Sequence, residues 1–441
     1  MKITLTGDSL FSSTNLAQRL DPNMLSRLRG SEVNFTNAEF CTPQADTAPA
    51  AGRGYVTAVR ENRLDELKGL GFNLINFANN HTGDFGIKGI LDTITAAEKR
   101  NLPPLGIGRS LDEAQLPKFY DAPHGRVSVV AATATRAEVF LASNAGNGIP
   151  ARPGVNPLRW QQTYIVPQKD FEQLKKIDQR LGLTKSIAVG TKIEHWQPLP
   201  DDELFVGSMY QEKLHFKVGN SYQVQTTADQ QDLKAILKQI SDAKNRSHFT
   251  IFSLHTHEGI NENWYAAQPA DFVKDVAHQA IDAGADIVVG HGAHFLRGIE
   301  FYHGCPIFYN LGSFLMEFEA GESLIPPEMY QAYSLPARSL PSQLHRLRAY
   351  DHGKLAGFNA DEIFSAGVIL TVDFDRSSGK KKFYLLPIDL QLAADDALKR
   401  GIPTTADEAF ARRLIERLAK DSAAFKTDLA YNFETGELNL N

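Results

Sequence analysis

The chain has 441 residues, 42% hydrophobic and 22% charged, the composition of a folded globular protein able to bury a sizeable core. A net charge of −6, from 46 basic and 52 acidic residues without a long basic run, excludes a general nucleic-acid binder. The two cysteines, Cys41 and Cys305, are too few for a disulfide framework or a thiolate metal site and read as reduced buried thiols.

The chain opens on "MKITLTGDSLFSS", one lysine followed by an apolar run too short and too interrupted for a signal peptide. No later stretch has transmembrane length, so a cytoplasmic protein without a membrane segment is expected. "KITLTGD" reads as a strand ending at Asp8, and the alternating "EVNFTNAEF" (32–40) as a second strand ending near Glu39. A helix is predicted over 56–71, stopping on glycine, then a strand over "FNLINFA" and a helix over 86–100. "RVSVVAATA" (126–134) closes a first stretch of strand–helix alternation, the pattern of an α/β fold with a mainly parallel sheet.

Residues 136–247 change character, with a proline- and glycine-rich "GNGIPARPGVNPLRW" followed by helices over 168–182 and 229–246. They read as an insertion covering one edge of the core. The alternation resumes with a strand in "HFTIFSLHTHEG" (248–259), a helix over 270–285, and strands in "DIVVGHGAH" (286–294) and "PIFYNLGSF" (306–314). A second loop-rich insertion is expected over 319–362, then an antiparallel hairpin and a helical C-terminal region over 391–441. The chain reads as one domain over 1–441, its core formed by 1–135, 248–318 and 363–390.

Polar groups collect at strand ends. Asp8, Glu39, Asn80 with His81, His255 with His257, and His291 with His294 follow five separate strands. In parallel α/β sheets those ends share one side, where ligands bind. Any one of these groups has an ordinary structural explanation, such as a turn aspartate or a capping asparagine. Together they form an oxygen and nitrogen ligand set without thiolate, suited to Zn²⁺, Mn²⁺ or Fe²⁺. About seven donors exceed what one ion needs, so two divalent ions bridged by a carboxylate are expected. Such a pair clamps a substrate oxygen and lowers the pKa of water bound there.

The series "TGD" (6–8), "NAEF" (37–40), "ANNHTGDFG" (78–86), "SLHTHEG" (253–259) and "GHGAHFLRGIEFYHGCPIFYNLGSF" (290–314), with "GIGRSLDEA" (106–114), resembles the CapA/PgsA family. That family is associated with poly-γ-glutamate capsule biosynthesis and belongs to the calcineurin-like metallophosphoesterase superfamily. The resemblance covers roughly 1–135 and 248–318 and leaves both insertions unexplained. It implies a four-layer α/β/β/α sandwich. Asp8 resembles the first-motif metal aspartate, Glu39 the bridging carboxylate and Asn80 a ligand of the second metal. His81 takes the place of the general acid, with Asp84 orienting it, and His255, His291 and His294 resemble the remaining ligands. Two departures stand out: "HTH" at 255–257 where the family more often has His-Trp-Gly, and Asp8-Ser9-Leu10 where many superfamily members have Asp-x-His. Either His257 replaces the missing ligand, or that metal position is less fully held.

Arg152 and Arg159 in the proline-stiffened loop, Arg297 shortly after His294, and Arg53 are candidate contacts to an anionic small molecule or polymer. Ordinary loop bracing is the competing explanation for each. Two functions follow. One is a metal-dependent hydrolase acting on a phosphoester or γ-glutamyl-type amide; the other is a non-catalytic or assembly protein that binds an anionic polymer. The Asn80-His81-Asp84 set favours catalysis, because binding alone needs no positioned proton donor.

Overall fold

The computed structural model describes residues 1–207, 213–319 and 321–441. Two sheets pack face to face with helices on their outer faces. The larger runs in the order Leu429–Tyr431, Glu437–Leu440, Lys381–Asp389, Ala366–Phe374, Lys2–Phe11, Val33–Ala38, Leu74–Asn76, Pro104–Leu105. The smaller, six-stranded sheet runs Ile299–Tyr302, Cys305–Phe308, Ile287–Gly292, Phe249–Thr256, Gly125–Thr133, Lys118–Ala122.

Side-chain alternation along the strands produces the layers. Ile3, Leu5, Phe35 and Leu74 of the large sheet meet Val127, Val129, Ile251 and Val289 of the small one in the central core. The opposite residues face helices: Ile75 lies among Leu64, Leu67, Ile90 and Ile94 on one side. Val130, Phe252 and Val288 lie among Ile236, Ile240, Val276 and Ala280 on the other. The result is the expected α/β/β/α sandwich. Strands buried on both faces read as continuous apolar runs, as parallel strands do; burying each large apolar side chain is worth about 1.5–3 kcal/mol.

Several elements differ from the expectation. The helix drawn over 56–71 starts only at Arg63, because Ala58 bridges Cys41 and Val59 bridges Ser323. "PIFYNLGSF" is two strands in different sheets: Cys305–Phe308 pairs in the small one, while Ser313–Glu317 crosses to pair with Lys2–Phe11. The crossover passes Gly7 so closely that a Cβ there would lie 1.8 Å from the Gly312 carbonyl oxygen. Both insertions hold much regular structure. Residues 136–247 include a four-stranded sheet, and their last helix, Gln230–Lys244, packs on the small sheet as part of the sandwich. Residues 319–362 include the helices Pro327–Ala332 and Pro341–Ala349.

The C-terminal region is helical only over Glu408–Ala423. Its Phe410, Leu414 and Leu418 enter the central core, and the chain ends in two edge strands of the large sheet. Cys41 is buried, whereas Cys305 is half-buried. No helix among the described residues is long and apolar enough to cross a membrane.

Candidate metal centre

The large sheet runs parallel from Lys2–Phe11 through Val33–Ala38 to Leu74–Asn76, and the small sheet runs parallel through Gly125–Thr133, Phe249–Thr256 and Ile287–Gly292. Their C-terminal ends bring the predicted donors together. Asp8 lies within its strand rather than at its end, at a point where the pairing register shifts against both neighbouring strands. Such an irregularity re-aims a side chain, and the Asp8 carboxylate accepts hydrogen bonds from the Gly292 N–H at 2.9 Å and Asn37 Nδ2 at 2.8 Å.

Two groups of donors result, each with its ligand atoms mutually within 4.8 Å: Asp8, Glu39 and His255, and Glu39, His257 and His294. Glu39 belongs to both. His255 Nε2 lies 3.8 Å and His257 Nε2 4.0 Å from Glu39 Oε1, and His294 Nδ1 lies 3.7 Å from Glu39 Oε2. Asn80 Oδ1 is 2.8 Å from His255 Nε2, on the edge of the first group.

Both Glu39 oxygens and His257 Nε2 are buried without a hydrogen-bond partner among the described residues. Buried polar atoms are normally satisfied, and an uncompensated buried carboxylate is costly. Divalent cations would supply what these atoms lack, so the donor set fits a metal pair. The electrostatics agree. Burial, with the charges of Asp8 and Asp84, raises the Glu39 carboxyl well above its usual range. Burial pushes His255 down to about 3 and His257 well below the ordinary imidazole value, which keeps both rings neutral. Burial acts to raise Asp8 too, but the hydrogen bond and charge of His294 hold it well below the carboxylate range.

His291 departs from its predicted place. Its ring nitrogens lie 3.2 Å from the Thr6 carbonyl oxygen and 3.3 Å from Ser253 Oγ, edge-on to Phe35, and it joins neither donor group. Its fixed position inside the strand Ile287–Gly292 turns the ring into the gap between the sheets.

His81 and Asp84 form a pair: His81 Nδ1 is 2.7 Å from Asp84 Oδ2, and Nε2 faces the centre, 4.0 Å from Glu39 Oε1. Asp84 also accepts from the Thr57 N–H at 2.8 Å and Arg53 Nε at 2.8 Å, while Arg53 reaches the Asn80 carbonyl at 2.7 Å. Arg53 thus braces this loop. Asn79 is buried too, donating to the Ala38 carbonyl at 2.8 Å and accepting from the His81 N–H.

The three arginines expected at a substrate lie elsewhere. Arg152 is exposed and donates to the Leu141 carbonyl. Arg159 is forked onto Asp232 at 2.7 and 2.8 Å. Arg297 is wholly buried and donates to the carbonyls of Glu258, His257 and Trp264 at 3.0, 2.8 and 3.1 Å. Arg159 and Arg297 are engaged inside the protein, and Arg152 braces its own loop through Nε. Arg297 therefore holds the loop bearing His257, and burial pulls its guanidinium down to about 10 against the opposing charge of Glu258. Arg297→Met is expected to destabilise the protein by about 2–4 kcal/mol, since three carbonyls lose a charged donor; a denaturant titration measures it.

Sequence reasoning missed Asn37. Its Nδ2 donates to Asp8 and lies 3.3 Å from His255 Nδ1, and its Oδ1 accepts from Asn76 Nδ2 at 2.9 Å. The available signal was an amide on a strand whose every residue is buried. The middle glycine of "GHGAH" also has a role. Gly292 has φ +101°, and a Cβ there would lie 2.7 Å from His257 Cδ2 and 2.9 Å from His255 Nε2. Gly292→Ala is expected to displace both rings and lower metal affinity by about ten- to a hundred-fold, the range seen when the support of metal ligands is lost. Metal titration of the purified variant checks this.

A cavity of about 860 Å³ opens over His81, His257 and His294, walled by the 319–362 segment and by Tyr55, Trp264 and Tyr265.

The four-layer sandwich gathers carboxylate, amide and imidazole donors at its parallel strand ends, a fold and donor set able to hold divalent metal. The family model described as "Bacterial capsule synthesis protein PGA_cap" matches residues 2–317, and the chain belongs to that family. The protein y4sH of Sinorhizobium fredii (strain NBRC 101917 / NGR234) is 30% identical, over 98% of this chain and 92% of that one. The "PGA biosynthesis protein CapA" of Bacillus subtilis (strain 168) is 28% identical over 57% of this chain and 44% of its own length. Among solved structures, a phosphatase from Mycoplasma pneumoniae aligns over 90% of this chain and 98% of its own, with 12% identity and a TM-score of 0.40.

Proposed function

We propose that this chain, acting as a single domain, is a metal-dependent hydrolase of an anionic substrate, a phosphoester or γ-glutamyl-type amide. The observation that supports this most is Glu39, whose two buried, unpartnered oxygens are shared between two donor groups. Asp8, Glu39, Asn80 and His255 would hold one ion, and Glu39, His257 and His294 the other. An oxygen and nitrogen set of this kind suits Mn²⁺, Zn²⁺ or Fe²⁺. Ions held there would supply Lewis acidity toward a substrate oxygen and lower the pKa of water.

The chain's own residues position and protonate. Hydrolysis adds water across the scissile bond: its oxygen bonds to phosphorus or the carbonyl carbon, and the leaving oxygen or nitrogen takes a proton. His81 Nε2 is the donor, because Asp84 fixes the ring through Nδ1 and aims Nε2 at the centre. Asn37 holds Asp8 in place, and Gly292 leaves room for His255 and His257.

Metal analysis after Mn²⁺ loading, followed by a panel of phosphomonoesters, phosphodiesters and γ-glutamyl peptides, tests the proposal. We expect about two ions per chain and turnover of at least one class; less than one ion per chain after loading would defeat it. The Bacillus subtilis relative is named for biosynthesis rather than hydrolysis, which leaves room for a second reading, binding of an anionic polymer such as poly-γ-glutamate without hydrolysis. Full metal loading with no turnover across the panel would select it.

A further inference from the structure

We propose that the cavity over the metal centre takes a small molecule with one anionic group and an aromatic or apolar body, the anion being read by Arg348. This rests on the hydrolase reading of the centre and narrows its substrate. The cavity, about 860 Å³, has the size of a small-ligand pocket.

Its two walls differ in chemistry. Over His257 and His294 the wall is aromatic: Trp264 packs edge-on to His257 with centroids 5.3 Å apart, and Phe358 edge-on to His294 at 5.7 Å. Phe364 continues it, 4.6 Å from Phe358 and 6.1 Å from Tyr265. Trp264 and Tyr265 remain 47% and 64% exposed, so they face the opening rather than the core. Aromatic rings left half in water beside a cavity are suited to stacking against a flat or apolar ligand body.

The wall above His81 is cationic. Tyr55 stands edge-on to His81 at 6.5 Å, and the Arg348 guanidinium lies 3.6 Å over the Tyr55 ring. Among the described residues Arg348 has no carboxylate partner, unlike the other arginine of the lining, Arg400, whose fork is taken by Glu319 at 2.6 and 3.0 Å. Beyond its contacts with Tyr55, such a guanidinium still has edge donors to offer a phosphate or carboxylate. Among the described residues the lining contains no lysine and includes the carboxylates of Glu319 and Asp361. A polymer bearing a charge on every unit needs a track of cations, and one arginine without a carboxylate partner, in a cavity with two acids, does not provide it.

Calorimetric titration of the metal-loaded protein with 1-naphthylmethylphosphonate, which is not hydrolysed, tests the assignment without turnover. It should bind about ten-fold or more tighter than methylphosphonate, through the aromatic wall. Trp264→Ala should reduce that difference and leave methylphosphonate binding unchanged. Arg348→Gln should weaken naphthylmethylphosphonate by about ten-fold or more while leaving neutral 1-naphthylmethanol unaffected, with Arg348→Lys intermediate. Circular-dichroism melting establishes that each variant is folded, and the Trp264→Ala arm stands independently of Arg348. Equal affinity for the two phosphonates, no effect of Arg348→Gln, or tighter binding of an oligo-γ-glutamate would overturn the proposal. Tight phosphonate binding without turnover of any phosphomonoester, phosphodiester or γ-glutamyl peptide in the panel would remove the hydrolase reading and leave this pocket assignment standing.

Discussion

Glu39→Gln is expected to lower bound transition metal from about two ions per chain to fewer than one and to cut any hydrolytic rate by about a thousand-fold or more. No other residue belongs to both donor groups, so losing its charge weakens both at once. The amide is nearly isosteric, and the packing of the strand end is preserved. The same change should act in the opposite direction on the metal-free protein. There the Glu39 carboxylate is wholly buried, without a hydrogen-bond partner among the described residues and close to Asp8 and Asp84, an arrangement that opposes folding. Glu39→Gln should therefore melt at a higher temperature than wild type after chelator treatment. It should gain little when Mn²⁺ is restored, whereas the wild type should gain several degrees through ligand linkage. Inductively coupled plasma analysis and paired melting curves read both signs. Unchanged metal content in the variant would remove Glu39 from the bridging role.

The second large effect falls on His81. His81→Asn should keep its metal, because neither donor group contains His81, yet lose about a hundred- to ten-thousand-fold in kcat, the usual worth of a positioned general acid. A substrate whose leaving group departs without protonation, such as a nitrophenyl ester, should be much less affected than an alkyl ester. That contrast distinguishes proton donation from a general disturbance of the pocket. Asp84→Asn should behave as a weaker version of the same variant. Asp84 fixes the ring but also accepts from Arg53 and Thr57, so some loss of stability is expected beside the loss of rate. Retained kcat on alkyl esters in His81→Asn would end the proton-donor assignment.

Much of this was legible in the chain itself. Alternating strands and helices specified the α/β class, because apolar residues at period two and period 3.6 cannot exchange roles. The donors at strand ends were visible as polar groups interrupting apolar runs, and a parallel sheet places such ends on one side. The structure gathers Asp8, Glu39, Asn80, His255, His257 and His294 there, with His81 and Asp84 beside them. His257, the departure from the family pattern, is among the gathered donors, and His291 is not. Nothing in "GHGAH" distinguishes a ring aimed at the centre from one held by Thr6 and Ser253; that depends on where the facing sheet lies.

The arginines show the same division more sharply. Sequence supplied their chemistry, a planar cation matched to carboxylate and phosphate, but not their partners. Arg152 donates to Leu141, Arg159 forks onto Asp232 and Arg297 holds three loop carbonyls, while Arg348, in a helix far along the chain, lies over Tyr55 with no carboxylate partner among the described residues. Local sequence therefore determined the α/β class, most of the elements and the donor types, since these follow from periodicity and side-chain chemistry within a few residues, while the layer order came only as what the family resemblance implies. Only the tertiary structure decided which donors share Glu39, which arginine is left for a ligand, and how the 319–362 segment walls the cavity. Those are contacts between residues distant in sequence, set by how the two sheets and their insertions pack.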